Sequence, residues 1–167
     1  TRRERRRLTG MPASMLRRLA LAGMVALLVG AGPLAQTPEP AQDDVKALRI
    51  LANAGDGEAQ YLLGMRYYHG EDVPQDHVEA AAWFRQSAEQ GNADAQFNLG
   101  VMYVTGEGVP ADEVAAYAWF SVAATSGYVH APKTRDRIKR DLTQPQLEKG
   151  EAMARKIFER IEKRKAA

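Results

Sequence analysis

Apolar residues recur along the middle of the chain with the spacing of α-helices. From about 58 to 68, Ala59, Leu63 and Tyr67 stand four residues apart, which puts their side chains on one face of a helix. A second stretch, from about 77 to 90, places Ala80 and Phe84 on one face in the same way. The pattern predicts two amphipathic helices, which we name helix A and helix B.

The two stretches are repeated once at a period of 36 residues. When 55–90 is aligned with 91–126 without a gap, 17 of the 36 positions are identical. A repeat of this length is typical of helical-repeat proteins, in which each unit buries its apolar face against a neighbour. The sequence therefore predicts an all-α fold, an α-solenoid of antiparallel helix pairs.

Single residues predict how these helices begin and pack. Asp76 comes directly before helix B, where a carboxylate accepts hydrogen bonds from free backbone N–H groups. Gly64 and its copy Gly100 lie inside helix A, where glycine costs roughly 1 kcal/mol relative to alanine. We therefore expect bulky side chains of helix B to pack there, and Trp83 and Trp119 are the expected partners.

These residues resemble the Sel1-like repeat, a relative of the tetratricopeptide repeat, over about 55–127. The resemblance rests on the runs 59–64, 70–76 and 91–96, with Tyr67, Ala80, Trp83, Phe84 and Ala88. One departure is Asp72, where the second unit has Gly108 and the family usually has glycine. Because aspartate tolerates a left-handed backbone, we expect the same turn with local strain. The resemblance implies a scaffold or adaptor that binds proteins or peptides, in bacteria often secreted or periplasmic.

The segments beside the two repeats are predicted to be caps. Residues 43–54 look like a lone helix B with Ala47 at the position of the tryptophan, and 127–167 form a basic C-terminal cap. In that cap the third helix A has lost its apolar face, and a last helix begins near Thr143. Its apolar stripe runs through Leu147, Met153 or Ala154, Ile157 and Ile161. The repeat domain is predicted over 43–167.

Residues 1–35 carry the pattern of an N-terminal extension with a signal peptide. Seven of the 23 basic residues fall in the first 18 positions, and Leu19–Val29 follows without a charge. This apolar run is too short to span a bilayer, which needs roughly 20 residues, but it suits a signal peptide. The true start, Met11 or Met15, stays open.

Cleavage in this region would leave a periplasmic or secreted chain that begins with a Pro-rich extended linker, 36–42. An uncleaved helix that anchors the chain in a membrane is the alternative. The net charge of +2 depends on the N-terminal arginines, because 39–126 hold 14 acidic and 4 basic residues while 127–167 hold 6 and 12. We therefore expect no nucleic-acid partner.

Catalytic and metal-binding patterns are missing from the sequence. The chain has no cysteine, which excludes a thiol nucleophile and cysteine-ligated metals. His69, His77 and His130 have no metal-ligand spacing, and the loops 70–76 and 106–112 lack the oxygen ligands of a calcium loop. No phosphate-binding loop or dinucleotide fingerprint occurs. We expect no enzymatic activity, no metal and no cofactor.

The function predicted from these observations is that of an exported interaction module, which binds a protein or peptide on the concave surface lined by helix A. The expected binding residues lie opposite the apolar stripe of helix A: Leu62, Met65, His69, Asn98, Val101 and Thr105. The same residues could instead pack against the neighbouring repeat. The alternatives from other classes are a hydrolase of cell-wall-related or β-lactam substrates, an activity credited to cysteine-rich members of the family, and a membrane-anchored assembly factor.

Overall fold

The computed structural model describes residues 40–166, and the regular secondary structure of this part of the chain consists of seven α-helices. They are α1 (Pro40–Asn53), α2 (Gly57–His69), α3 (His77–Ala88), α4 (Ala93–Thr105), α5 (Glu113–Thr125), α6 (Ala131–Asp141) and α7 (Gln144–Lys165). The predicted helices A and B of the first repeat are α2 and α3, and those of the second repeat are α4 and α5. The all-α prediction is confirmed.

From α1 to α6, each helix packs on the next one in the chain. This order of contacts is that of an α-solenoid, in which every helix pair is stabilised by its neighbours. The last two helices depart from it, because α6 and α7 both pack on α5.

The first helix starts earlier than the sequence indicated. It begins at Pro40, inside the segment predicted as a linker, and it packs on α2. Its buried side chains, Val45 and Ala52, meet Ala59 and Leu63 of α2 in one apolar cluster. The predicted signal segment 1–35 and the first part of the linker lie outside the described residues. Among 40–166, no helix is both long and apolar enough to cross a membrane.

The helix starts follow the predicted capping. The backbone N–H groups of Val78 and Glu79 donate to the Asp76 carboxylate at 2.9 and 3.0 Å. Asp112 accepts the corresponding two bonds one repeat later, at the same distances. These bonds satisfy N–H groups that have no partner within the helix.

The partner of the helical glycines is phenylalanine, so the prediction that Trp83 and Trp119 pack there was wrong. A Cβ atom at Gly64 would lie 2.6 Å from a ring carbon of Phe84, and one at Gly100 would lie 2.8 Å from Phe120. Neighbouring positions on a helix differ by about 100° in direction, so tryptophan and phenylalanine cannot both face the same glycine.

The predicted left-handed turn at Asp72 is confirmed, with φ of 60° against 70° at Gly108. The Asp72 carboxylate lies 2.8 Å from the Arg66 guanidinium, so the first turn has space for a side chain. The second turn has no such space, because a Cβ atom at Gly108 would lie 2.0 Å from the backbone oxygen of His77. The second turn therefore requires glycine for its close contact with α3.

The last helix begins where the sequence predicted, with the Thr143 N–H donating to Gln146 Oε1 at 2.9 Å. Of its predicted apolar stripe, Ile157 and Ile161 are buried in the core, while Leu147, Met153 and Ala154 are partly buried. The helix covers the outer face of α5, which explains why Val114 is 7% exposed while its copy in the first repeat, Val78, is 66% exposed.

Candidate peptide-binding groove

A groove runs between the two A helices, α2 and α4. Its centre is a cavity of about 170 Å³ that both helices line. Met65, Tyr68 and His69 come from α2, and Asn98 and Val101 come from α4. Phe84 of α3, 1% exposed, forms the buried part of the lining. Two consecutive repeats therefore build one pocket.

The structure brings four of the six predicted binding residues together. Met65, His69, Asn98 and Val101 all line the cavity. Leu62 is 43% exposed on α2 but does not line it. Thr105, also exposed, lies at the end of α4. The structure thus puts four of the six side chains at one cavity, and the role of all six in binding stays a prediction.

The cavity is mainly apolar, and Asn98, one of its polar lining residues, is held by a hydrogen bond. The Asn98 side-chain amide donates to the Met65 sulfur at 3.5 Å, which links the two helices across the groove. The rings of Tyr61 and Tyr68 lie 5.9 and 6.4 Å from that of Phe84. Such separations are typical of packed aromatic side chains, so Tyr61 and Tyr68 both pack on Phe84.

At the end of the groove near the C-termini of the A helices, Tyr68 is fixed by a carboxylate. Its hydroxyl donates to Glu107 Oε2 at 2.9 Å, and the Thr105 hydroxyl donates to the same oxygen at 3.2 Å. The hydrogen bond to Glu107 raises the pKa of Tyr68 above its usual value, with burial and the negative charge of Glu107 adding to the effect. The His77 ring stacks on Tyr68 at 5.0 Å, and the His69 ring meets its edge at 5.2 Å.

At the opposite end, aromatic rings and carboxylates lie together. Phe97 stacks on Tyr128 at 4.3 Å. Burial raises the pKa of Tyr61, and the nearby charge of Asp94 is the next largest cause. Glu58 adds a smaller effect in the same direction, and its Oε2 accepts a hydrogen bond from the Asn92 amide at 3.0 Å. Both ends of the groove therefore carry negative charge.

Sequence reasoning missed the aromatic and acidic residues of the groove. Tyr61 and Phe97 occupy the same position in the two repeats. Comparing the repeats by residue class, aromatic with aromatic, instead of by identity would have found them. Tyr68 has Val104 as its copy and Tyr128 has Asn92, so neither pair is alike across the repeat. Their place in the groove depends on the fold.

The groove offers shape and charge rather than a cluster of reactive groups. Within the part of the chain that the structure describes, no three His, Asp or Glu side chains lie where they could hold a metal ion together. The two histidines nearest the cavity, His69 and His77, contact the Tyr68 ring from two sides. This arrangement suits reversible binding of a partner segment, with one side chain in the cavity and charged residues on either side of it.

The stacked helix pairs and the groove between them define a helical-repeat protein. The model of the Sel1 repeat matches residues 57–92 and 93–128, each match being two residues later than the predicted repeat boundaries. Residues 57–128 therefore consist of two consecutive Sel1 repeats. Proteins of this kind are generally protein-interaction modules.

Similar proteins come from bacteria. A protective antigen of uropathogenic Escherichia coli with a Sel1-like repeat fold has a TM-score of 0.70 and 35% identity, covering 72% of this chain and 26% of that one. A Sel1 repeat protein from Oxalobacter formigenes has a TM-score of 0.57 and 45% identity, covering 58% of this chain and 28% of that one. The secretory immunoglobulin A-binding protein EsiB of Escherichia coli O6:H1 is 32% identical over 64 residues, which is 38% of this chain and 13% of EsiB. The chain thus spans only a small part of each relative.

Proposed function

We propose that this chain is an exported, non-catalytic interaction module that binds a segment of a protein partner in the groove between α2 and α4. The observation that supports this most directly is the cavity shared by Met65, His69, Asn98 and Val101, because it joins two repeats at residues that are not fully buried. An apolar pocket with a few fixed polar groups is the usual form of a binding site.

The relatives support protein binding as the class of function. EsiB is by its name an immunoglobulin-binding protein, and the Sel1-repeat family consists generally of interaction modules. Because the chain covers 13% of EsiB, the identity of that partner is not carried over.

A capture experiment tests the groove. The full chain is immobilised and incubated with an extract of the bacterium that produces it, beside the double variant Met65→Glu plus Val101→Glu. Both substituted residues are half-buried at the cavity, so two carboxylates there should abolish capture of any specific partner.

The matched control is Val78→Glu plus Ala82→Glu, which adds the same two charges to exposed positions of α3. We expect the control to capture the partner as the unchanged chain does, and both variants to keep the helical circular dichroism. Equal recovery on the groove variant, with its fold intact, would overturn the proposed binding site.

Export is proposed from the N-terminal sequence. The arginine-rich start, the uncharged run Leu19–Val29 and the small residues after it suit a cleaved signal peptide. Cell fractionation followed by N-terminal sequencing tests this, since cleavage should give a soluble periplasmic or secreted chain that starts near Gly32 or Gln36. A membrane-bound chain that keeps residues 19–29 would contradict export and favour the anchored alternative.

A further inference from the structure

We infer that the groove between α2 and α4 takes an extended, cationic segment of the partner, with one aliphatic side chain in the cavity and a Lys or Arg on each side of it. The inference rests on the proposed function and adds the chemistry of the bound segment. Its basis is the order of side chains along the groove: carboxylates lie at each end, and the apolar cavity lies between them.

The centre of the groove fits one apolar side chain. The cavity of about 170 Å³ is walled by Met65, Val101 and the rings of Tyr68 and Phe84. An apolar cavity of about 150 Å³ holds a group the size of benzene, so one leucine, isoleucine or methionine side chain would fill this one. Larger polar groups would lose their hydration without finding partners.

At one end of the groove, the Glu107 carboxylate has an oxygen that can accept a hydrogen bond from a cation. Among residues 40–166, both side-chain hydrogen bonds to Glu107 reach Oε2, from Tyr68 and Thr105, and none uses Oε1. Glu107 is half-buried, so a charge-assisted bond to it is stronger than one at a fully exposed site. A Lys or Arg of the partner would therefore be favoured beside the cavity.

The other end combines two carboxylates with aromatic faces. Glu58 and Asp94 are exposed on the first turns of α2 and α4, and the charges of both act on the half-buried Tyr61. A second cation of the partner would find both opposite charge and ring faces there. Acidic side chains of a partner would be repelled at both ends.

No cation of α2 or α4 offsets these carboxylates. The one arginine of the two helices, Arg66, pairs with Glu71 and Asp72 at 3.3 and 2.8 Å. Basic residues are concentrated from α6 onward, where exposed Lys133 and Arg137 stand one period after Phe97 and Val101. The preference for a cationic segment is therefore confined to the first groove.

The distance between the two acidic ends sets the spacing of the cations. From Glu58 to Tyr68 the helix advances ten residues, or about 15 Å at 1.5 Å per residue. An extended peptide covers about 3.3 Å per residue, so its two cations should be about four or five positions apart. The aliphatic side chain falls between them.

Selection from a phage library of random linear peptides on the full chain tests this chemistry. We expect the enriched peptides to carry two Lys or Arg about four or five positions apart, with Leu, Ile or Met between them. Synthetic copies of the best peptides should bind more weakly as salt is raised. Enrichment of acidic or uncharged peptides, or no enrichment, overturns the inference.

Two matched variants make the test specific. Glu107→Gln keeps an oxygen for the Tyr68 hydroxyl but removes the charge, and it should weaken the selected peptides about tenfold. Glu71→Gln changes the same repeat position away from the groove and should leave their affinity within about twofold.

The outcomes separate this inference from the proposed function. If the selected peptides no longer bind Met65→Glu plus Val101→Glu but bind Glu107→Gln with unchanged affinity, the cationic segment is overturned and the groove stays the binding site. Peptides that bind the groove variant as well as the unchanged chain would contradict both.

Discussion

The side-chain amide of Gln96 donates to the backbone oxygen of Ala88 at 3.0 Å, which repeats the bond from Gln60 to Ala52 one period earlier. These bonds join each helix A to the helix B before it. The two glutamines differ in their oxygens, because Gln60 Oε1 accepts from the Gln90 amide at 2.7 Å while Gln96 Oε1 has no hydrogen-bond partner in the described part of the chain. The difference arises because the copy of Gln90 is Ser126.

We expect Ser126→Gln to stabilise the protein by about 1 kcal/mol, because it would supply the missing donor to a buried oxygen. Urea unfolding followed by circular dichroism measures the change. The mirror variant Gln90→Ser should lower the unfolding free energy by a similar amount. Equal stability of Ser126→Gln and the unchanged chain would show that the Gln96 oxygen does not need a protein donor.

Alanine at either helical glycine should destabilise the fold. A Cβ atom at Gly64 or Gly100 would press into a phenylalanine ring at 2.6 or 2.8 Å, and overpacking of this kind costs about 1–3 kcal/mol. The higher helix propensity of alanine recovers at most about 1 kcal/mol. Gly57→Ala is the control, since its nearest contact would be an ordinary 3.4 Å and we expect little change. Thermal unfolding separates the three variants.

The two left-handed turns should differ in how strongly an exchange of their residues changes the stability. Gly108→Asp places a Cβ atom 2.0 Å from the His77 backbone oxygen, so we expect a loss of several kcal/mol in unfolding free energy. Asp72→Gly relieves the left-handed strain but removes the exposed pair with Arg66, so the net change should stay within about 1 kcal/mol. Chemical denaturation of both variants checks this, and a mild effect at Gly108 would contradict the tight contact.

Alkaline pH should weaken the fold through Tyr68. The pKa of Tyr68 is higher in the folded chain than its usual value near 10, so its contribution to stability is present below about pH 10 and is lost as the pH rises through the folded-state value. Glu107→Gln should lower the pKa of Tyr68, because it removes the charged acceptor. Ultraviolet titration against Tyr68→Phe, which identifies the signal of this tyrosine, measures the shift. A titration curve unchanged by Glu107→Gln would contradict the role of the carboxylate.

Most of the local structure could be predicted because it depends on neighbours in the sequence. The period of 36 residues, the caps at Asp76 and Asp112 and the turn at Asp72 all follow from residue type and spacing. The contact of Phe84 with Gly64 could not be chosen over Trp83 from periodicity alone, since the two side chains are neighbours on one helix. The groove was predicted only in part, because Tyr68 and Glu107 meet across 39 positions through the packing of two repeats.

The path of α7 has a consequence for the order in which the chain can fold during synthesis. Ile157 and Ile161 complete the same apolar cluster that holds Phe84 and Ala88 of the first repeat, and Arg164 reaches Glu89 at 3.3 Å. A ribosome releases Ile157 and Ile161 about 70 positions after Phe84 and Ala88, so the core of the first repeat cannot be completed until that later segment has emerged. Contacts this distant in sequence slow folding, and until they form the nascent repeats expose apolar surface that chaperones would need to cover.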